Sequence, residues 1–214
     1  MIKFSKTNLI GNTMGYKCEP GDIFAKNRNN FTYQENIFKA IPGLDKSSLI
    51  KSSDPFTFTR TNETGVTVDL KGKYGVPLEK DQVRIRFANT HSAFVYLTDA
   101  VTHSLAIGSI SQELYRYWRK KDYINNVRRY CLVNMVMEAG GGRIIYSRCN
   151  KTSVTLAHSQ GLQIDSLGGI INAEVAITGL ASSIGSIEIT GNYRPVLQMV
   201  RWYKNRRIYR FQPI

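Results

Sequence analysis

VTVDLKGKYGVPLEKDQVRIRF, residues 66–87, begins and ends with apolar side chains at every second position. Val66, Val68 and Leu70 alternate with Thr67, Asp69 and Lys71, and Val83, Ile85 and Phe87 alternate with Arg84 and Arg86. Successive side chains of a strand point to opposite faces, so this spacing predicts strands with one apolar and one wet face. Phe56 and Phe58, spaced by Thr57, predict another strand, and AFVYL (93–97) continues as a strand or leads into a turn.

The same signal dominates the second half. RYCLVNMVME (129–138), RIIYSRC (143–149), TSVTLAH (152–158), NAEVAIT (172–178), IGSIEIT (184–190) and RPVLQMVRWY (194–203) all predict strands. Gly140, Gly141 and Gly142 predict one turn, and Gly191 with Asn192 another. Towards the N-terminus, DIFAK (22–26) and FTYQENIFKAI (31–41) predict short strands around the turn NRNN (27–30), after an amphipathic helical turn within 1–12. PGLDKSSLIKSSDP (42–55) is polar and turn-rich, a surface connection. The best helical candidate is 98–121, capped by Thr98 or Asp99, broken at Gly108, with an apolar stripe of Leu114, Tyr115 and Trp118. SQGLQIDSLGGII (159–171) predicts a short helix. No βαβ rhythm is present. The expected fold is therefore of the α+β class, a mainly antiparallel twisted sheet with a few short helices. The 214 residues suit a single domain, with 204–214 a short C-terminal tail.

Charge and motifs narrow the function. The 29 Lys and Arg against 16 Asp and Glu give a net +13, which attracts polyanions such as nucleic acid or anionic lipid headgroups. Cys18, Cys131 and Cys149 are too few and too odd in number for a disulfide framework, and suit a reducing compartment. The N-terminus lacks the apolar core of a signal peptide, and no apolar run is long enough for a transmembrane helix. His91, His103 and His158 lie apart from any Cys or carboxylate at ligand spacing, so no metal is expected. GGGRII (140–145) lacks the Lys-Ser/Thr ending of a phosphate loop and precedes a strand. No catalytic residues, cofactor or enzyme activity are expected from these motifs.

The positive charge is concentrated in two stretches. YRYWRKKDYINNVRRY (115–130) holds six cations and one acid among four tyrosines and a tryptophan, and RWYKNRRIYR (201–210) holds five cations and no acid. Cations beside aromatics suit RNA, where rings stack on bases and cations hold phosphates. They equally suit a membrane surface, where rings sit at headgroup depth, or a solvated face. Two longer segments favour the membrane. Residues 56–97 and 143–190 each hold alternating strands rich in Thr and Ser. Membrane β-strands need about 9–11 residues of such alternation and must close into a barrel.

The order of these strands resembles the pore-forming domain of gasdermins, bacterial or fungal. GYKCEPGDIFAKNRNNFTYQENIFKAIPGL (15–44) is similar to their first hairpin and following glycine–leucine turn. YCLVNMVMEAGGGRIIYSRC, TSVTLAHSQGLQIDSLGGIINAEVAIT and GSIEITGNYRPVLQMVRWY follow that family's order of central strand, hairpin, small helix, returning strand and final apolar strand. The resemblance implies a cytoplasmic monomer that, once activated, forms a homo-oligomer on anionic lipids of the cell membrane and inserts β-hairpins. It implies a cell-death role in antiphage defence or allorecognition. An activating protease, or a second gasdermin-like chain, would supply control. Many bacterial members carry a lipidated cysteine near the N-terminus; the first here is Cys18, in an expected turn. Under this resemblance Lys71, Lys73, Arg84, Arg86, Arg116, Arg119, Lys120 and Lys121 are the headgroup contacts. The inserting strands are carried by Val66, Val68, Leu70, Val83, Ile85, Phe87, Ile144, Tyr146, Val154, Val175, Ile177, Ile187 and Ile189.

Overall fold

The structure, a computed structural model, describes residues 2–3, 9–11, 17–27, 30–61, 66–69, 82–89, 92–126, 128–157, 174–176, 184–205 and 208–213. Their elements run β1 (Ile2–Lys3), β2 (Leu9–Gly11), β3 (Asp22–Asn27), β4 (Asn30–Asn36), α1 (Ile37–Ala40), α2 (Lys46–Leu49), β5 (Ile50–Ser52), β6 (Phe56–Thr61), β7 (Val66–Asp69), β8 (Gln82–Phe87) and β9 (Ala93–Leu105). A 3-10 turn at 107–110 leads into α3 (Ser111–Lys120), followed by β10 (Tyr130–Ser147), β11 (Thr152–Ala157), β12 (Glu174–Ala176), β13 (Ile184–Asn205) and β14 (Ile208–Pro213). Strands dominate and short helices interrupt them, as the alternation predicts. Every pairing among the described residues is antiparallel.

Two sheets form. The larger has ten strands, with β10 and β13 at its centre. On the far side of β13 lie β2 and β14; on the far side of β10 lie β3 and β9, and β9 also pairs with β5 and β6. The smaller sheet has four strands in the order β12-β11-β8-β7. The β3–β4 hairpin forms around the predicted turn, pairing Asn27 with Asn30.

Several expectations are corrected. Gly140–Gly142 do not turn the chain: β10 runs through them for 18 residues, and β13 likewise runs through Gly191 and Asn192 for 22. At Met137/Ala139 and Ala139/Gly141 each two residues of β10 meet three of β13, so Gly191 and Asn192 fall in a β-bulge of β13 opposite Gly140. Residues 98–105 are strand, not helix. β-branched Thr98, Val101 and Thr102 suit a pleated surface, and β10 supplies a partner ladder along them. Residues 37–40 are a helical turn rather than strand, because the Asn36 carboxamide caps it by accepting the Phe38 N–H at 3.0 Å. The connection 42–55 contains α2, capped by Asp45, and β5. Within 1–12, the described residues are strands β1 and β2, not helix. The expected helix at 159–171 lies outside the described residues. The expected tail is in part β14, paired with β13 from Val200 to Asn205.

Alternate residues of β10 serve opposite faces of the large sheet. Leu132 joins Ile23, Leu114, Trp118, Val200 and Trp202 on the α3 side. Cys131 and Val133 join Phe24, Val136, Leu197 and Met199 on the other. α3 presents Leu114, Tyr117 and Trp118 to that core, positions three and four apart as a helix requires. Glu113 in its first turn and Arg119 and Lys120 in its last complement the helix dipole.

Candidate functional site

The four-stranded sheet unites the two alternating segments. β8, from 56–97, pairs with β11, from 143–190, over six residues. The register sets Val68, Ile85 and Val154 side by side across three strands, and Val66, Phe87 and Thr152 beside them. Ile85, Phe87 and Val154 are fully buried and Val66 is half-buried. On the alternate positions Arg84 stands between Asp69 and Thr155, and Arg86 between Thr67 and Ser153. Both arginines are half-buried. The sheet is thus apolar on one set of positions and polar on the other, the period-two pattern carried across chain segments.

Other predicted residues fall elsewhere. Ile144, Tyr146, Ile187 and Ile189 belong to β10 and β13 of the large sheet, where Ile144 faces Ile187 and Tyr146 faces Gly185. Ile144 and Ile189 are core residues; Tyr146 and Ile187 are half-buried. The backbones of Val68, Val83 and Val175 lie in β7, β8 and β12. Leu70, Lys71, Lys73 and Ile177 lie outside the described residues.

The cationic residues Arg116, Arg119 and Lys120 are exposed along the last turns of α3, with Lys121 at its C-cap. A groove of about 490 Å³ runs between this helix and the chain after β4, bounded by Arg116, Tyr117, Lys120, Lys121, Glu35 and Ile41. Glu35 organises its floor, accepting from the Tyr123 hydroxyl at 2.9 Å and pairing with Lys121 at 3.4 Å. Lys121 also lies over the Tyr117 ring. Partial burial raises the Glu35 carboxyl, but the neighbouring Tyr117 and Tyr123 hydroxyls and the Lys121 charge outweigh it and hold it below the ordinary value of 4.5. The tyrosine hydroxyls move the other way. Burial first, then the Glu35 carboxylate, pushes Tyr117 and Tyr123 well above the usual range.

A carboxyl depressed in the fold stabilises it above the unfolded pKa, and that contribution is lost as pH falls through the folded value. Glu35→Gln should therefore be less stable than the parent near neutral pH, and the gap should close in acid. Urea midpoints across that range check this; a gap independent of pH would count against it.

The aromatics interleaved with these cations turn inward. Trp118 packs edge-on to Tyr123 at 5.7 Å, Tyr123 stacks on Tyr130 at 3.9 Å, and Tyr115 meets Trp202 at 5.9 Å. Tyr117 and Trp118 are buried and Tyr115, Tyr123 and Tyr130 half-buried, so the first basic stretch offers fewer open ring faces for bases than its composition suggests. The Lys26 backbone N–H bonds the Arg129 carbonyl at 2.6 Å beside the pairing of β3 with β10, which sets Lys26 next to the end of the first basic stretch in a way that sequence spacing does not reveal.

Cys18 is fully buried in the turn before β3, and burial with the nearby Asp22 carboxylate pushes its thiol up to about 12. Burial does the same to Cys131, also to about 12. Neither forms a reactive thiolate near neutrality, and Cys18 is closed to modification in this state. All three cysteines are free, Cys149 alone being exposed. Among the described residues no cluster of His, Cys, Asp or Glu is placed to hold a metal, and no helix is long and apolar enough to cross a membrane.

No family model matches the chain, and no curated protein matches it. Among solved structures it is similar to the gasdermin A3 membrane pore, with 11% sequence identity, 91% of this chain and 81% of that chain covered, and a TM-score of 0.30. The likeness is one of fold only, and it is weak.

Proposed function

We propose that this chain is a pore-forming protein that docks on anionic membranes through the cationic end of α3 and inserts strands drawn from 56–97 and 143–190. One observation carries this: β8 and β11 bring the two alternating segments into a single amphipathic sheet. In lipid, only a closed sheet satisfies the backbone of spanning strands. Antiparallel strands with their apolar positions already aligned have the sidedness that a lipid-facing wall requires. The described parts of β8 and β11 have six residues each, against the roughly nine to eleven that span a bilayer. Among the described residues the smaller sheet has four strands, fewer than the eight of the smallest membrane barrels, so this reading calls for several copies, joined at β7 and β12.

The docking element and the inserting element are separate. Arg116, Arg119, Lys120 and Lys121 sit on a helix packed against the large sheet, so they can hold lipid while the smaller sheet rearranges. The test is dye release from vesicles of phosphatidylglycerol or cardiolipin, against phosphatidylcholine vesicles, with the chain added as purified and after limited proteolysis. The expected result is release that requires anionic lipid and weakens with salt. No release in either form, on any lipid, overturns the proposal. Copurification with nucleic acid would point to RNA instead.

A further inference from the structure

We propose that a line of irregularities across the large sheet is a hinge, and that Arg194 locks it. The use of the hinge, releasing the outer strands for insertion, rests on the pore-forming function above; the hinge itself follows from the sheet.

The two strands on either side of β10 carry extra residues at one level. Between β6 and β9, Phe56 pairs with Ala100 but Phe58 with Leu97, so β9 carries an extra residue. Asp99, at that point, has φ +49. Between β10 and β13, Met137 pairs with Val196, Ala139 with Tyr193 and Gly141 with Thr190. Each two-residue step on β10 meets three residues on β13, so β13 is bulged twice in succession. Between β9 and β10, Val101 pairs with Glu138 and Thr98 with Gly141, which sets the Asp99 irregularity beside Ala139 and Gly140. A Cβ on Gly140 would lie 3.2 Å from that of Asp99. A lone bulge bends one strand. Bulges on β9 and β13, which flank β10 at one level, break the β6–β9 and β10–β13 ladders there, while β9 and β10 stay in step.

The bend closes on apolar side chains from both sides. Phe58, Leu97, Ile144 and Ile189 from the outer half pack with Met137 and Val196 from the inner half. Arg194 emerges from the bulged part of β13 and ties it to the inner half. Its Nε donates to Glu138 Oε2 at 2.8 Å, and an Nη donates to the Cys18 carbonyl at 2.9 Å. The Glu19 carboxylate lies 3.8 Å from the same nitrogen and is itself held by Lys46 at 2.7 Å. The turn that carries Cys18 and Glu19 is anchored by the Gly21 N–H to the Val133 carbonyl at 2.8 Å. A planar guanidinium gripped on several edges fixes orientation as well as distance. With it in place, the bulges of β13 cannot shift along the strand.

The experiment is amide hydrogen exchange on the full chain without lipid, comparing the parent with Arg194→Met, Arg194→Lys and Glu138→Gln. Charged hydrogen bonds of this kind are worth enough for roughly ten- to hundred-fold faster exchange once lost. That acceleration is expected at 93–97, 143–147 and 184–190 in Arg194→Met and Glu138→Gln, with 131–133 and 196–200 unchanged and Arg194→Lys intermediate. Acceleration in both halves alike, or in neither, overturns the hinge. Dye release on the same variants separates the two ideas. Local acceleration with no release by any variant keeps the hinge and removes the pore. Release by the parent with no local acceleration keeps the pore and removes the hinge.

Discussion

Gly142→Ala will lower stability by about 3 kcal/mol, seen as a fall in the urea midpoint at constant slope. Gly142 sits in β10 with φ +150, a conformation that L side chains rarely adopt. Holding alanine there adds strain of order 1–3 kcal/mol. A Cβ would also meet the Tyr96 carbonyl oxygen and lie 2.9 Å from Leu97 Cα. Both are backbone atoms of β9, fixed by the β9–β10 ladder, so no rotamer change relieves the contact. Gly108→Ala is the internal control. Gly108 has open space around its Cβ position and is exposed in the 3-10 turn before α3. Alanine there should be neutral or mildly stabilising, by about half a kcal/mol, through a less flexible unfolded chain. Equal stability of Gly142→Ala and the parent would show that β10 does not approach β9 as described.

The same glycines mark the limit of what the sequence makes legible. Period-two alternation finds Val66–Asp69, Gln82–Phe87 and Thr152–Ala157 as strands because apolar residues recur in them at every second position and each is short. It cannot distinguish a glycine turn from a glycine bulge, since both need a residue without a Cβ, so β10 and β13 look like two strands each. Residues 98–105 mislead for another reason. Their side chains permit either state locally, and the choice is made by β10 and β5 on either side, distant in sequence. In the candidate site, the cations of 115–130 are visible as composition. That their aromatic neighbours face inward is not, because it depends on Trp202 and Glu35 arriving from β13 and β4. The Arg194–Glu138 pair, 56 residues apart, has no local signal at all.

The proposed function separates docking from insertion, and that separation is its sharpest handle. Ile85, Phe87 and Val154 of the small sheet are buried, so a charge placed there would disturb the folded protein itself. The cations on α3 are free of that difficulty. Arg116, Arg119 and Lys120 are exposed, and the face of the helix that packs is carried by Leu114, Tyr117 and Trp118.

Replacing Arg116, Arg119 and Lys120 together by alanine should weaken binding to anionic vesicles by roughly 150-fold while leaving the urea midpoint nearly unchanged. Each cation near an anionic surface contributes about 1 kcal/mol, so three contribute about 3 kcal/mol, and each 1.4 kcal/mol is tenfold. Alanine is a good helix former, so α3 should persist; the loss of Arg119 and Lys120 from its last turn removes only some tenths of a kcal/mol of dipole interaction. Lys121 is left in place because it pairs with Glu35 and covers Tyr117, and removing it would mix stability with docking. Binding of the parent should also fall as salt rises, and the variant should respond less steeply, because fewer exposed charges remain to be screened. Cosedimentation with phosphatidylglycerol vesicles at several salt concentrations measures both. A variant that binds as tightly as the parent, with the same salt response, would place the docking surface away from α3.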